Sequence, residues 1–289
     1  MSKIAIISDV NAGLDYIGRD PHIPVLRSMI NFGEEHYIDG TEIKADEFYL
    51  KVQEKLKEGI IPSTSAPTVG EAMVLIEDLI KQGYTDVIMY AISFQLSSIG
   101  HMVESLAEEY ADQINIHVVD TKTATYLQGY LAVVAKEMAD KGASVEEILT
   151  KTEELKANSH AYFVVDDLNF LVKNGRLSGV AGFLGGLLKI KPVLEMTKEG
   201  KIQPYEKVKT HNKAVARAKD LILEETKDAK KVLLFVFHTC RENDAKVLKQ
   251  YFKENMKNAV DIQIHMVTPA VGAHIGCGIL GLGYYILEK

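Results

Sequence analysis

Four stretches of this chain are apolar almost throughout: KIAIISD (3–9), DVIMYAIS (86–93), INIHVVD (114–120) and KVLLFVFH (231–238). A strand with one wet face alternates apolar and polar residues, so a short run without alternation, bounded by turn signals, reads as a strand covered on both faces. Segments with helical spacing separate the first three runs. In 45–59, Phe48, Val52 and Leu56 recur on one face and Gly59 stops the helix; 68–83 is closed by Gly83; 97–112 starts on serine; 123–142 follows the third run. Buried strands alternating with helices predict a parallel sheet between two helix layers. Residues 22–40 read as two extended pieces split by Gly33.

Beyond Ser144 the pattern changes. A helix over 144–159 with early acids precedes a strand at 161–167, a short helix LNFLVKNG and a small, apolar helical stretch VAGFLGGLLKI (180–190). Residues 191–210 predict a hairpin around KEGK, helices at 212–227 and 242–255 flank the strand 231–238, and strands at 261–267 and 283–289 follow. A length of 289 residues suits two domains. The expectation is a three-layer α/β/α domain over 1–150, with a mainly parallel sheet, and a two-layer α/β domain with a mixed sheet over 151–289.

Several function classes are disfavoured. The net charge is −7 and no Lys/Arg block stands out, so nucleic acid is not expected as a partner. No apolar run approaches the length that spans a bilayer, and the opening MSKIAIISDV enters a strand pattern without a signal-peptide layout. Cys240 and Cys277 lie far apart and form neither C-x-x-C nor zinc spacing, which points to a reducing cytoplasm. The nucleotide-binding P-loop, H-E-x-x-H and G-x-S-x-G patterns are absent. Gly276, Gly278 and Gly281 spell G-x-G-x-x-G, but the helix, strand and acid of a dinucleotide fold do not follow before Lys289. The expectation is a chance match, with no metal and no cofactor.

Small polar residues gather at three places, just after buried strands or beside turns: PSTSAPT (62–68), ISFQLSS (92–98) and DTKTAT (120–125). Ligands of open parallel sheets bind beyond the carboxyl ends of strands, where helix N-termini offer free N–H groups. The second half supplies Arg176 in NGRLSG, Lys189 and Lys191 in LLKIKP, and His274 in what reads as a flexible, glycine-bounded loop. Together these loops resemble the DegV family of bacterial fatty-acid-binding proteins. The family's T-S-Q-P-S looks like TSAPT (64–68), I-S-S-x-L-S-G-T like ISFQLSSI (92–99), and D-S-K-S-A like DTKTA (120–124). Its G-G-R-I-S…N-I-K-P-x-L looks like NGRLSG…KIKPVL, and H-T-G-P-G like HIGCG (274–278). Val10 and Asn11 depart from the opening Ser-Thr, Phe94 and Ser98 from a serine and a glycine, and Cys277 from a proline.

The resemblance implies two α/β domains that hold one long-chain fatty acid in a closed tunnel. It also implies presentation of the acid to a fatty acid kinase, which makes an acyl phosphate for phospholipid synthesis. By that likeness Thr64 or Ser65, with Ser93, Phe94, Ser97 and His274, form the carboxylate end. Arg176 and His274 support phosphoryl transfer, and Ile99, Met102, Val103, Phe183 and Leu187 line the tunnel. A tail of about fifteen methylenes gains about 12 kcal/mol gross at ~0.8 kcal/mol each. The carboxylate needs donors, because burying it unpaired costs more than the tail gains. A protonated or hydrogen-bonded His274 would shield it. Two other readings are a serine acyl-ester hydrolase using Ser93 or Ser97 with His274, and a lipid-sensing regulator.

Overall fold

The computed structural model describes residues 3–178 and 191–289. The first half contains β1 (Ile4–Asp9), β2 (Val25–Leu26), β3 (Met29–Phe32), β4 (Glu35–Ile38), α1 (Ala45–Lys57), β5 (Ser63–Ser65), α2 (Val69–Lys81), β6 (Asp86–Ala91), α3 (Ile99–Glu104), β7 (Asn115–Asp120), α4 (Thr125–Asp140) and α5 (Val145–Ala157). Strands β2, β1, β6 and β7 lie side by side in that order, all parallel. Successive residues point to opposite faces. Ala5, Ile7, Val87 and Met89 pack with Ala72, Ile76 and Leu79 of α2 and with Ile99 and Val103 of α3. Ile6, Ile88 and Tyr90 pack with Leu127 and Leu131 of α4. Both faces of β1 and β6 are dry, which is why their runs carry so few polar positions, while β7 at the sheet edge is only partly buried. Strands β4, β3 and β5 make a small antiparallel sheet, with Gly33 at the turn between β3 and β4.

Two helix starts follow the sequence signal closely. Thr68 with Glu71, and Ser144 with Glu147, each form a reciprocal capping box. The expected long helix at 97–112 is shorter. It is α-helical only over α3, and beyond it tighter turns, such as Leu106 N–H to Val103 O at 3.1 Å, keep Val103, Leu106 and Tyr110 buried. Helix α5 is continuous through residue 150.

The second half contains β8 (Ser159–Val164), α6 (Asn169–Lys173), β9 (Val193–Met196), β10 (Ile202–Glu206), α7 (His211–Thr226), β11 (Lys231–His238), α8 (Glu242–Asn255), β12 (Ala259–Met266), α9 (Pro269–Ile275) and β13 (Leu280–Glu288). Its sheet runs β10-β9-β8-β13-β11-β12, antiparallel except for the pair β11–β12. One face carries α7 and α8, packed on Val232, Leu234 and Val236. The other turns Leu233, Phe235 and Phe237 toward α4 of the first half. The fold is thus mixed α/β, with a parallel N-terminal sheet between helix layers and a mixed C-terminal sheet with its own helices on one side. The stretch 180–190, with Phe183, Leu187 and Lys189, lies outside the described residues.

Candidate functional site

A cavity of about 300 Å³ opens where the carboxyl ends of the parallel strands meet the inner face of the second sheet. Asn11 follows β1, Ile92, Leu96, Ser97 and Ser98 follow β6, and Thr123 to Thr125 follow β7; all line it. The opposite wall is apolar: Phe163, Phe237, Ile279, Met196 and Ile202, with Leu127 from α4. Gly281 belongs to that wall. A Cβ there would sit 3.3 Å from Cβ of Phe237 and 3.4 Å from Cβ of Phe163, so any larger side chain would crowd the cavity. Gly276 (φ +76°) ends α9 and Gly278 (φ +86°) lies against Asp166, so the three glycines of the G-x-G-x-x-G string serve a helix end, a tight turn and a cavity wall.

The polar side gathers three expected residues and one that the sequence left open. Along β5 side chains alternate, so Thr64 faces the cavity while Ser65 is exposed, its hydroxyl accepting from Asn31 Nδ2 at 3.0 Å. The Thr64 hydroxyl is 2.8 Å from His274 Nε2. His274 sits on α9, not in a loop: Thr268 caps it, Pro269 takes the first turn and Gly276 stops it. Those signals were readable in TPAVGAHIG. Asp39, which sequence reasoning missed, accepts from Ala270 N–H at 2.7 Å at the start of α9, and burial pushes its carboxyl up to about 7.

Burial lowers His274 to about 4, and the positive Arg176 adds to this, so the ring is neutral at pH 7. A neutral ring hydrogen-bonded to Thr64 follows, rather than a protonated one. Its Nδ1 is buried with no partner among the described residues. A hydroxyl beside an imidazole is half of an activated nucleophile, but no third group orients the ring through Nδ1 among the described residues. Arg176 lines the cavity and donates through Nε to Leu96 O at 3.1 Å and through Nη1 to Asn174 O at 2.5 Å. It pairs with no carboxylate among the described residues. Asn174 holds this corner together, donating to Pro62 O, Phe170 O and Ala273 O. Ser97 lines the cavity, and its hydroxyl accepts a long 3.4 Å bond from Ile99 N–H.

Other expected residues lie elsewhere. Ser93 is fully buried and donates to Gly200 O at 2.7 Å, away from the cavity lining and from His274. The Phe94 ring packs on His101, with centroids 4.2 Å apart. Ile99, Met102 and Val103 pack on the opposite face of the parallel sheet, against α2, rather than in the cavity. A six-residue helix running along that face cannot also reach the other. Lys191 Nζ donates to Asp166 O. Asp9 organises the strand ends, accepting from Asn11 N–H and Nδ2 and from Ile92 N–H at 2.8 Å; burial raises its carboxyl despite those bonds. Thr125, a β-branched residue at φ +62°, marks strain at the start of α4 where it lines the cavity.

Residues 3–287 match the family model of the DegV family of uncharacterised proteins. A DegV domain-containing protein of Staphylococcus aureus is 33% identical over 284 residues, covering 98% of this chain and 97% of that protein. The structure resembles DegV, a fatty acid binding protein from Bacillus subtilis, with TM-score 0.88, 30% identity and coverage of 99% and 100%. It equally resembles a fatty acid binding DegV family protein from Streptococcus agalactiae, with TM-score 0.88, 31% identity and coverage of 99% of each chain. No helix among the described residues is long and apolar enough to cross a membrane.

Proposed function

The chain belongs to the DegV family, and from that premise we propose that it holds one long-chain fatty acid and presents the carboxylate to a fatty acid kinase. The observation that carries this reading is the polarity of one cavity. Apolar residues of the mixed sheet line one wall, and Arg176, without a carboxylate partner among the described residues, stands on the other beside the Thr64–His274 pair. The tail lies along Leu127, Phe163, Phe237 and Gly281. The carboxylate accepts from the Arg176 guanidinium, from Ser97 and from Thr64 or His274. Such charge-assisted bonds are worth ~1.5–3 kcal/mol each. The two proposed domains, 1–150 and 151–289, meet at this cavity and share α5, which runs through their boundary.

Phosphoryl transfer brings a second anion to the carboxylate. His274 takes up positive character as charge accumulates, and Arg176 stays charged throughout. The protein itself turns nothing over in this reading, and it acts in the cytoplasm in support of phospholipid synthesis.

Intact mass under native and denaturing conditions tests the binding step. One released fatty acid per chain is expected; a protein still empty after incubation with several fatty acids sinks it. With a purified fatty acid kinase and ATP, His274→Ala is expected to keep the lipid and lose acyl-phosphate formation. Turnover of a chromogenic ester that disappears in Ser97→Ala would instead establish the hydrolase.

A further inference from the structure

The two cysteines that stand far apart in the sequence meet beside α9. Past His238, which pairs with Leu280, the β11–β13 ladder continues: Thr239 N–H donates to Ile279 O at 3.2 Å and its carbonyl accepts from Gly278 N–H at 3.1 Å. This sets Cys240 next to Cys277, near enough for each thiol to shift the titration of the other. Both rest on one turn of α1, where Gln53 Nε2 donates to Cys240 Sγ at 3.8 Å and Cys277 Sγ donates to Tyr49 O at 3.8 Å. Cys240 is exposed, and Cys277 is half-buried behind it. No group of three or more His, Cys, Asp or Glu suited to a metal occurs among the described residues, so the pair lacks the further ligands of a zinc site.

We propose that Cys240 and Cys277 form a redox-active dithiol that closes to an intramolecular disulfide on reaction with a peroxide, Cys240 attacking and Cys277 resolving. The environment divides these roles. The neighbouring Cys277 thiol holds the Cys240 thiol down at about 7, and the nearby Arg241 charge helps; the Cys240 neighbour, with burial, pushes Cys277 up. An exposed thiolate beside a protonated partner thiol is the arrangement of peroxide-sensing cysteines.

In the first step the Cys240 thiolate attacks one peroxide oxygen and the O–O bond breaks. Cys240 becomes a sulfenic acid, and for hydrogen peroxide the departing hydroxide takes up the proton the thiol lost, forming water. In the second, Cys277 sulfur attacks Cys240 sulfur, the S–O bond breaks, and the hydroxyl leaves as water with the Cys277 proton. Two thiols lose two electrons and one peroxide becomes two waters. Cys277 directly follows Gly276, the end of α9, and α9 carries Val271, His274 and Ile275 to the cavity. The bridge ties that helix end to β11 and slows ligand exchange. This consequence rests on the fatty-acid reading, whereas the bridge does not.

The test treats the reduced full chain with hydrogen peroxide, alkylates remaining thiols, and reads intact mass and peptide linkage. The expected result is loss of two hydrogens, no alkylation and a Cys240–Cys277 peptide that a dithiol reductant reverses. Cys277→Ser should stop at a sulfenic acid on Cys240, trapped by a cyclic diketone. Both thiols remaining alkylatable, oxidation running on to sulfinic acid without a bridge, or a bridge between two chains would each overturn the proposal. Dissociation of a fluorescent fatty acid from the oxidised and reduced proteins then reads the consequence. An equal rate removes the effect on exchange and leaves the bridge standing; a protein that binds no fatty acid removes the ligand reading alone.

Discussion

The two walls of the cavity are built by opposite means. The polar wall comes from chain ends: loops after β1, β6 and β7, the edge strand β5, the turn at Arg176 and the short helix α9. Its residues are far apart in sequence, and their positions depend on single anchoring bonds, Asp39 to α9 and Asn174 to three carbonyls. The apolar wall comes from the middle of regular strands, where Phe237, Phe163 and Gly281 sit in register on β11, β8 and β13. A sheet fixes shape and a set of loops fixes charge. Recognition of a head group should therefore be separable from recognition of a tail.

The largest expected effect breaks the apolar wall. Gly281→Leu pushes a side chain into the cavity between Phe237 and Phe163. Displacing about four methylenes costs ~3 kcal/mol, or roughly 100-fold in affinity for a long acid, with shorter acids spared. Undiminished binding of the long acid would place the tail elsewhere.

Arg176→Met breaks the polar wall alone. Losing one charge-assisted bond should weaken the acid ~10–100-fold while the matching fatty alcohol binds as before. Equal losses for acid and alcohol would mean that Arg176 only shapes the corner.

Ser93→Ala separates architecture from recognition. It strips a donor from Gly200 O and an acceptor from Gln95 N–H, so unfolding by denaturant should show a loss of ~1–3 kcal/mol with the acid-to-alcohol ratio unchanged. A selective loss for the acid would return Ser93 to the carboxylate.

The two hydroxyls of β5 give the sharpest contrast for a small effect. Thr64→Val should cost about 1 kcal/mol, roughly fivefold in acid affinity, while Ser65→Ala changes nothing, because the strand turns them to opposite sides.

The subtlest readout is the His274 ring by NMR. Empty, it titrates near 4 because burial disfavours its charge. A bound carboxylate favours that charge, so the value should rise. By linkage, the ring's contribution to binding grows as pH falls through the raised value and is complete only below about 4. A titration unmoved by lipid would detach His274 from the head group.

Much of this was legible in local pattern. Strands KIAIISD, DVIMYAIS and KVLLFVFH, the capping boxes at Thr68 and Ser144, and the hairpin around KEGK follow from periodicity and turn chemistry acting within a few residues. The loops at strand ends were also visible as polar clusters, because ligand positions beyond parallel strands are a property of topology. Which member of a cluster faces the cavity was not visible. Thr64 rather than Ser65 depends on how β5 pairs with β3, and the distance of Ser93 from the cavity on a contact with Gly200 in the other half of the chain. Ile99, Met102 and Val103 are apolar in a way that suits either face of the sheet, and only packing against α2 assigned them. The meeting of Cys240 with Cys277 likewise depends on the β11–β13 register. Periodicity is a short-range quantity carried by each segment, so one sequence determines the elements and the order of their apolar faces. Which side chains converge on a cavity depends on register and crossing between distant segments, and only the tertiary structure decided that.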